Sequence, residues 1–188
     1  MKEMNLFMIL IGCTPKNRLI EQHDMFFGIA NELKNLIPSI NNFWPEANGV
    51  FHIDCWRKVT RVGNYNIEVI EKTNFKNNFQ LFFINLGGYL PNEFEEYHHK
   101  QLIVAKSKAE AIKKVKETEF YKKFSFKGAQ SHIDDYYGVA VDEIFNVQDI
   151  LYPEFKEKYQ LKITEATENK LDKNNIGYLN IQKMLKEK

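Results

Sequence analysis

The chain has 188 residues, of which 44% are hydrophobic and 14% aromatic, so it holds enough apolar material to fold and is not intrinsically disordered. Its 26 basic and 25 acidic residues give a net charge of +1, which excludes a global attraction to nucleic acid or to anionic membranes. Two cysteines without metal-ligand spacing, and the lack of a long apolar run, favour a soluble protein of the reducing cytoplasm with no membrane partner.

The first predicted element is a β-strand at 6–11, an unbroken apolar run typical of a central strand that is covered on both faces. Gly12 and Pro15 are interpreted as a turn after this strand. A second strand is predicted at 23–29. The chain therefore opens with two strands joined by a short loop.

A helix is predicted next, because apolar residues recur at helical spacing over 29–40. Pro38 lies inside this stripe and is expected to kink or restart the helix. A third strand carries His52 and Asp54 in a His-x-Asp pattern, and polar and apolar residues alternate over 65–71, which predicts a fourth, half-exposed strand.

The same order of elements recurs further along the chain. Residues 6–30 align with 81–105 at eight identical positions, and the His-Ile-Asp at 52–54 returns at 132–134, with Trp56 opposite Tyr136. A Ser-x-x-Glu capping box at 107–110 predicts the helix of the second copy. The predicted fold class is α+β, with two degenerate β-β-α-β-β repeats related by pseudo-two-fold symmetry and helices packed on a mixed or antiparallel sheet.

The repeat divides the chain into two units and an extension. Residues 1–72 form the first repeat unit, 79–150 form the second, and 151–188 form a C-terminal extension within what we expect to be one compact globule. A further strand is predicted at 159–166. The segment 175–188 suits either a helix or a strand.

Five blocks of the sequence form a distinctive set: L-F-M-I-L-I-G-C-T-P-K-N-R-L-I-E-Q-H-D-M-F-F-G-I, F-W-P-E-A, H-I-D-C-W-R-K-V, L-F-F-I-N-L-G-G-Y and F-K-G-A-Q-S-H-I-D-D. Together they resemble a bacterial family, the domain of unknown function 1543. The resemblance covers most of 6–150. It implies a bacterial protein that carries the unit twice, and it implies no activity, cofactor or catalytic residue.

Each unit repeats a set of one glutamate, two histidines and one aspartate. Residues two apart on a strand project from the same face, so each set would converge if its two strands were neighbours. Imidazole with carboxylate suits zinc, iron or manganese, and also general acid-base catalysis. The candidate metal ligands are Glu21, His23, His52, Asp54, Glu96, His98, His132 and Asp134.

A structural role for the same residues is the competing interpretation. The residues retained in both copies of a duplicated unit are first of all those that the fold requires, and a histidine that is hydrogen-bonded to a carboxylate satisfies buried polar atoms. Lys16 and Arg18 on the loop after the first strand, with Trp56 near the His-x-Asp, are weaker candidates for binding a small ligand. Cys13 would act as a nucleophile only if neighbouring cations depressed its pKa.

A basic stretch with interleaved aromatics runs from Lys106 to Lys127, and acidic residues interrupt it. These acidic residues disfavour nucleic acid as a partner, whereas self-association as a homodimer suits exposed sheet edges. We expect a non-enzymatic ligand-binding or protein-interaction module with its site where the units meet. The alternatives are a small metal-dependent or acid-base enzyme and a weak nucleic-acid binder. No sequence motif indicates a cofactor. A divalent metal ion is the cofactor that the histidine and carboxylate sets would suit.

Overall fold

The computed structural model describes residues 3–134, 144–168 and 170–186. It is a mixed α+β structure of antiparallel sheets and short helices, so the predicted fold class is confirmed. The chain divides into two compact units. Unit 1 comprises Met1–Phe75 with Leu151–Lys188, and unit 2 comprises Lys76–Ile150. The relation of the two units as symmetric repeats stays a prediction.

The strands of the described residues are, in chain order, β1 (Asn5–Cys13), β2 (Gln22–Ala30), β3 (His52–Lys58), β4 (Arg61–Val62), β5 (Tyr65–Glu71), β6 (Gln80–Gly88), β7 (Tyr97–Ala105), β8 (His132–Ile133), β9 (Phe145–Asn146), β10 (Tyr159–Glu165) and β11 (Asn175–Asn180). The helices are α1 (Ile37–Phe43), α2 (Lys108–Lys116), α3 (Glu119–Lys123), α4 (Val147–Ile150), α5 (Pro153–Lys158) and α6 (Ile181–Lys186). None of these described helices has the length and apolar character needed to cross a membrane.

Unit 1 contains two antiparallel sheets, in the strand orders β11-β3-β1-β2 and β10-β5-β4. The central strand β1 is buried along nearly its whole length, as its unbroken apolar run predicts. Its side chains Leu6, Ile9 and Ile11 are fully buried with Ile40 and Ile53 in the core of this unit. Burial of these branched side chains holds β1 between its two neighbours and fixes their register.

Unit 2 contains one sheet in the order β7-β6-β8, with β9 also paired to β6. Helix α2 starts at the predicted capping box, where the Ser107 side chain accepts a hydrogen bond from the Glu110 N–H. The buried side chains Ala111 and Val115 of this helix pack with Phe82 of β6 in the core. Tyr136, which the alignment sets opposite Trp56, lies outside the described residues.

Several boundaries differ from the sequence predictions. Gly12 lies inside β1 and not in a turn, because β1 pairs with β2 and β3 as far as this residue. Ile29 belongs to β2, and the first helical segment is a 3₁₀ turn, Leu33–Leu36, followed by α1 with Pro38 in its first turn. The C-terminal segment is both strand and helix, since β11 runs directly into α6.

Candidate metal centre

The centre of unit 1 forms where three strands lie side by side. Strand β1 runs between β2 and β3, and Gly12 pairs with His23 on one side and with His52 on the other. The two histidine strands are therefore not neighbours, in contrast to the condition set from the sequence. The two imidazoles come close to each other because both extend across Gly12, which has no side chain to separate them.

The fit over Gly12 is tight. A Cβ at this position would lie 2.6 Å from His52 Nε2, 2.9 Å from Asp54 Oδ2 and 3.0 Å from His23 Cδ2. Real Cβ atoms essentially never come within 3.0 Å of another atom, so any residue larger than glycine would displace the His52 and Asp54 side chains.

Four side chains converge above this glycine, and we call them the unit 1 cluster: Glu21, His23, His52 and Asp54. His23 Nε2 lies 3.4 Å from Glu21 Oε2 and 3.1 Å from Asp54 Oδ2. His52 Nε2 lies 3.3 Å from Glu21 Oε1 and 3.3 Å from Asp54 Oδ1. The ligand atoms of the glutamate and both histidines all lie within 4.8 Å of one another.

These contacts exceed what protons can satisfy. A neutral imidazole donates one proton from Nε2 or none, yet each Nε2 lies against two carboxylates. The Oδ2 atom of Asp54 is buried and has no hydrogen-bond partner, although His23 Nε2 lies 3.1 Å away. The cluster therefore has uncompensated acceptors that a cation would satisfy.

Asp54 reaches the cluster through an irregularity in β3. Leu10 pairs with Cys55 and Ile11 pairs with Ile53, so Asp54 is an extra residue opposite β1. A bulge of this kind re-aims a side chain and is common beside functional sites.

The C-terminal extension covers the cluster on one side. Strand β11 pairs with β3, and the ring of Tyr178 stacks on His52 with centroids 4.3 Å apart and planes 25° apart. The His52 side chain is consequently only 8% exposed, whereas that of His23 is 38% exposed. This packing holds one imidazole in a fixed orientation.

A cavity of about 210 Å³ adjoins the cluster in unit 1. Glu21 and His52 line it, together with Thr14 and residues of the extension that include Tyr178. Two of the four candidate ligands are thus reachable by a small molecule.

Unit 2 holds the same four residue types in the same pairing, and we call them the unit 2 cluster: Glu96, His98, His132 and Asp134. Gly87 of β6 pairs with His98 and His132, and a Cβ there would lie 2.6 Å from His132 Nε2. As in unit 1, each carboxylate turns one oxygen to each imidazole, but the N–O distances are 3.3, 3.4, 3.6 and 4.0 Å. The unit 2 cluster is wider.

One oxygen of each unit 2 carboxylate has a donor from the protein, whereas Asp134 Oδ1 is buried without a hydrogen-bond partner, as Asp54 Oδ2 is in unit 1. Asn85 Nδ2 donates to Asp134 Oδ2 at 2.5 Å, and the Tyr89 hydroxyl donates to Glu96 Oε1 at 2.7 Å. The bond to Glu96 raises the pKa of Tyr89, so the phenol keeps its proton. Unit 1 has Leu10 and Thr14 at the corresponding positions, counted from the central glycines.

The other candidates from the sequence lie elsewhere. Lys16 and Arg18 are exposed on the β1–β2 loop, and Trp56 packs against Phe7, with ring centroids 5.9 Å apart. Burial first, and then the charge of Glu21, raise the pKa of the Cys13 thiol. A nucleophilic role for Cys13 requires a depressed pKa, so this environment disfavours that role.

The basic stretch folds as α2 and α3, and its lysines partly pair within these helices. Lys114 lies 2.8 Å from Glu110, and Lys123 lies 2.6 Å from Glu119. Both pairs are one helical turn apart, the spacing of ordinary solvent-facing ion pairs. Nucleic-acid binding by this stretch stays a prediction.

Sequence reasoning missed four residues that shape the clusters. Gly12 was interpreted as a turn marker, and the glycine at the equivalent position of the second copy, Gly87, was not used as a signal although the identity was visible. Tyr89 and Tyr178 each stack on the second histidine of a cluster, but they come from unrelated segments and carried no repeat signal.

Comparison with known proteins bears on family and fold. Residues 18–69 match the family described as Domain of Unknown Function (DUF1543), a segment that includes the whole unit 1 cluster. The crystal structure of a protein Il1583 from Idiomarina loihiensis is similar to this chain, with 19% identity and a TM-score of 0.59 over 95% of this chain and 98% of that one. At this identity the likeness shows the fold alone. No curated protein matches the chain.

Proposed function

We propose that this protein binds a divalent transition-metal ion through the unit 1 cluster. The observation that carries the proposal is the convergence of two imidazole Nε2 atoms and two carboxylates, with N–O distances of 3.1–3.4 Å, around an acceptor oxygen that has no donor. Each carboxylate faces the two imidazoles with different oxygens, so an ion would draw one oxygen of each carboxylate towards both nitrogens. The ligand atoms around a tetrahedral ion at about 2.0–2.1 Å lie about 3.3–3.4 Å apart, which requires only small movements of these side chains.

The donor set favours zinc and its neighbours over other metals. Calcium takes six to eight oxygen ligands, and copper(I) prefers sulfur, whereas two imidazoles with two carboxylates suit zinc, iron(II) or manganese. Four protein donors are typical of a site that holds an ion, so we propose binding as the function. A small metal-dependent enzyme is the second candidate, because the adjoining cavity reaches Glu21 and His52.

Isothermal titration of Zn²⁺ into chelator-treated, full-length protein tests the proposal. We expect one tight binding event from unit 1 and a weaker one from unit 2, whose carboxylates already accept bonds from Asn85 and Tyr89. His23→Ala and His52→Ala should remove the tight event. Co²⁺ in place of Zn²⁺ should give the strong visible absorption of a tetrahedral site.

His99→Ala is the matched control. His99 lies next to His98 on β7, but its ring stacks on Phe120 and belongs to neither cluster. This variant should keep both events. If the wild type takes up no Zn²⁺, or if His52→Ala binds it as tightly as His99→Ala does, the histidines are structural and the proposal is wrong.

The enzyme alternative is tested on the same samples. Zinc-loaded wild type should hydrolyse an activated ester such as p-nitrophenyl acetate faster than His23→Ala does if the cavity admits a substrate to the ion. Equal rates in the two proteins would leave metal binding as the function and exclude ester hydrolysis at this site.

A further inference from the structure

The cavity beside the unit 1 cluster is lined by Thr14, whose counterpart in unit 2 is Tyr89. Thr14 is the first residue after β1, and Tyr89 is the first residue after β6. The Tyr89 hydroxyl donates to Glu96 Oε1 at 2.7 Å, and its ring stacks on His132 at 6.0 Å with planes 25° apart. Tyr89 therefore bridges the strand end, the glutamate and the second histidine of its cluster.

In unit 1 the corresponding three residues, Thr14, Glu21 and His52, line the cavity. Threonine is too short to reach the glutamate as Tyr89 does, so the end of β1 sends no ring towards Glu21, and the ring beside His52 comes instead from Tyr178 of β11. The cavity of about 210 Å³ equals roughly seven waters at about 30 Å³ each, which is enough for a substituted six-membered ring.

The walls of this cavity suit a planar, partly apolar guest. Phe51, Val50 and Ile181 give apolar surface, and Tyr178, already stacked on His52, gives an aromatic side. Glu21 offers a carboxylate that accepts a hydrogen bond and has no tyrosine donor from the strand end. Such a combination of apolar walls and one aimed polar group is typical of small-molecule sites.

We propose that the unit 1 cavity binds a small phenol-class molecule, whose hydroxyl donates to Glu21 as the Tyr89 hydroxyl donates to Glu96. This inference rests on the proposed function, because Glu21 is also a metal ligand there. Unit 2 shows the same type of interaction within the chain. The phenol group of Tyr89 donates a hydrogen bond to Glu96, and its ring stacks on His132 of the same cluster.

The experiment titrates phenol and catechol into zinc-loaded, full-length protein and follows binding by ligand-observed NMR. Thr14→Phe places a ring in the cavity but has no hydroxyl to compete for Glu21, and we expect it to weaken phenol binding at least about tenfold. Anisole, in which a methyl ether replaces the donor, should bind the wild type at least about tenfold more weakly than phenol does.

Tyr89→Thr gives the reciprocal test. It copies the unit 1 arrangement into unit 2 and should open a second phenol site, so that the number of bound phenols rises from one to two. Equal phenol affinity in Thr14→Phe and wild type, equal affinity for anisole and phenol, or no saturation by about 10 mM phenol would each overturn the inference.

A Zn²⁺ titration of the same samples separates the two proposals. Zinc uptake without phenol binding would refute the phenol site and leave the metal site standing. Phenol binding that Thr14→Phe abolishes, in a protein that takes up no zinc, would refute the metal site alone.

Discussion

The two clusters have the same four residue types and the same atom-to-atom pairing, yet their surroundings differ. In unit 2, Asn85 and Tyr89 donate to the carboxylates, and the second histidine is 45% exposed. In unit 1 neither donor is present, and the second histidine is 8% exposed under Tyr178.

This difference makes unit 1 the stronger candidate metal site, because its carboxylates lack the two donors that unit 2 provides. Acceptors that the protein satisfies are stable without an ion, and an ion must displace their donors to bind. A buried acceptor without a donor costs free energy until a cation arrives, so metal binding and stability would be linked at Asp54 Oδ2 in unit 1 and, among fewer free oxygens, at Asp134 Oδ1 in unit 2. Residues outside the four shared side chains thus distinguish the two copies.

The largest effect should come from the floor of the cluster. Gly12→Ala places a Cβ 2.6 Å from His52 Nε2, so the imidazole must move out of line with its three partners. We expect the tight Zn²⁺ event to weaken at least about 100-fold, and crowding to lower the free energy of unfolding by about 1–3 kcal/mol. Titration calorimetry and urea denaturation measure the two effects.

Gly87→Ala is the matched change in unit 2, where a Cβ would lie 2.6 Å from His132 Nε2. It should remove only the weaker event. If both alanine variants lose the same event, the assignment of the tight site to unit 1 is incorrect.

A second prediction converts unit 2 towards unit 1. Asn85→Leu removes the donor to Asp134 Oδ2, leaving a half-buried carboxylate without that partner. Without metal, we expect the free energy of unfolding to fall by about 1–3 kcal/mol. With metal, the weaker event should tighten about tenfold, because the ion no longer competes with an amide.

The outcome is read from paired measurements with and without Zn²⁺. An Asn85→Leu protein that is destabilised equally in both conditions would mean that Asp134 serves folding and not metal binding. Asn77→Leu, a change outside both clusters, controls for the added apolar surface.

The eight candidate residues were found because they recur at equivalent positions and because residues two apart on a strand share a face, and the structure brings them together in two groups of four. The sequence did not predict which strand lies between the histidines. Alternation of polar and apolar residues reveals which face of a strand a residue lies on, but not the order of strands in the sheet. Without that order, the position of Gly12 between the two histidines was not visible, and Gly12 was interpreted as a turn marker.

The bulge at Asp54 and the stacking of Tyr178 on His52 could not be predicted from the sequence, for a different reason. A bulge is a register shift between two strands, and Tyr178 reaches His52 only because β11 pairs with β3. Both depend on pairing between segments far apart in the chain, which local pattern does not encode.

A third prediction tests that cover. Tyr178→Ala removes the ring stacked on His52 and exposes the imidazole. Since Tyr178 is itself 68% exposed, we expect a loss of only about 0.5 kcal/mol in stability and at most about a tenfold loss in Zn²⁺ affinity. Tyr178→Phe keeps the ring and should behave as the wild type. A Phe variant as impaired as the Ala variant would mean that the hydroxyl, and not the stacked ring, is what matters.

The smallest effect concerns the helices of the two units, which also differ. Helix α1 begins without a side-chain cap, whereas α2 has Ser107, and Glu110 accepts bonds from Lys114 Nζ at 2.8 Å and from the Lys106 N–H at 2.9 Å. The bond from Lys114, and then that from Lys106, lower the pKa of Glu110 in the folded protein.

A folded-state pKa below the unfolded value stabilises the protein above the unfolded pKa, and this stabilisation is lost as the pH falls through the folded pKa. Glu110→Gln should therefore lower the Tm slightly at pH 7 and leave it equal to that of the wild type in strong acid, with Zn²⁺ binding by unit 1 unaffected. A Tm difference that persists at pH 2 would assign the contribution of Glu110 to its packing, since its charge would then be absent in both proteins.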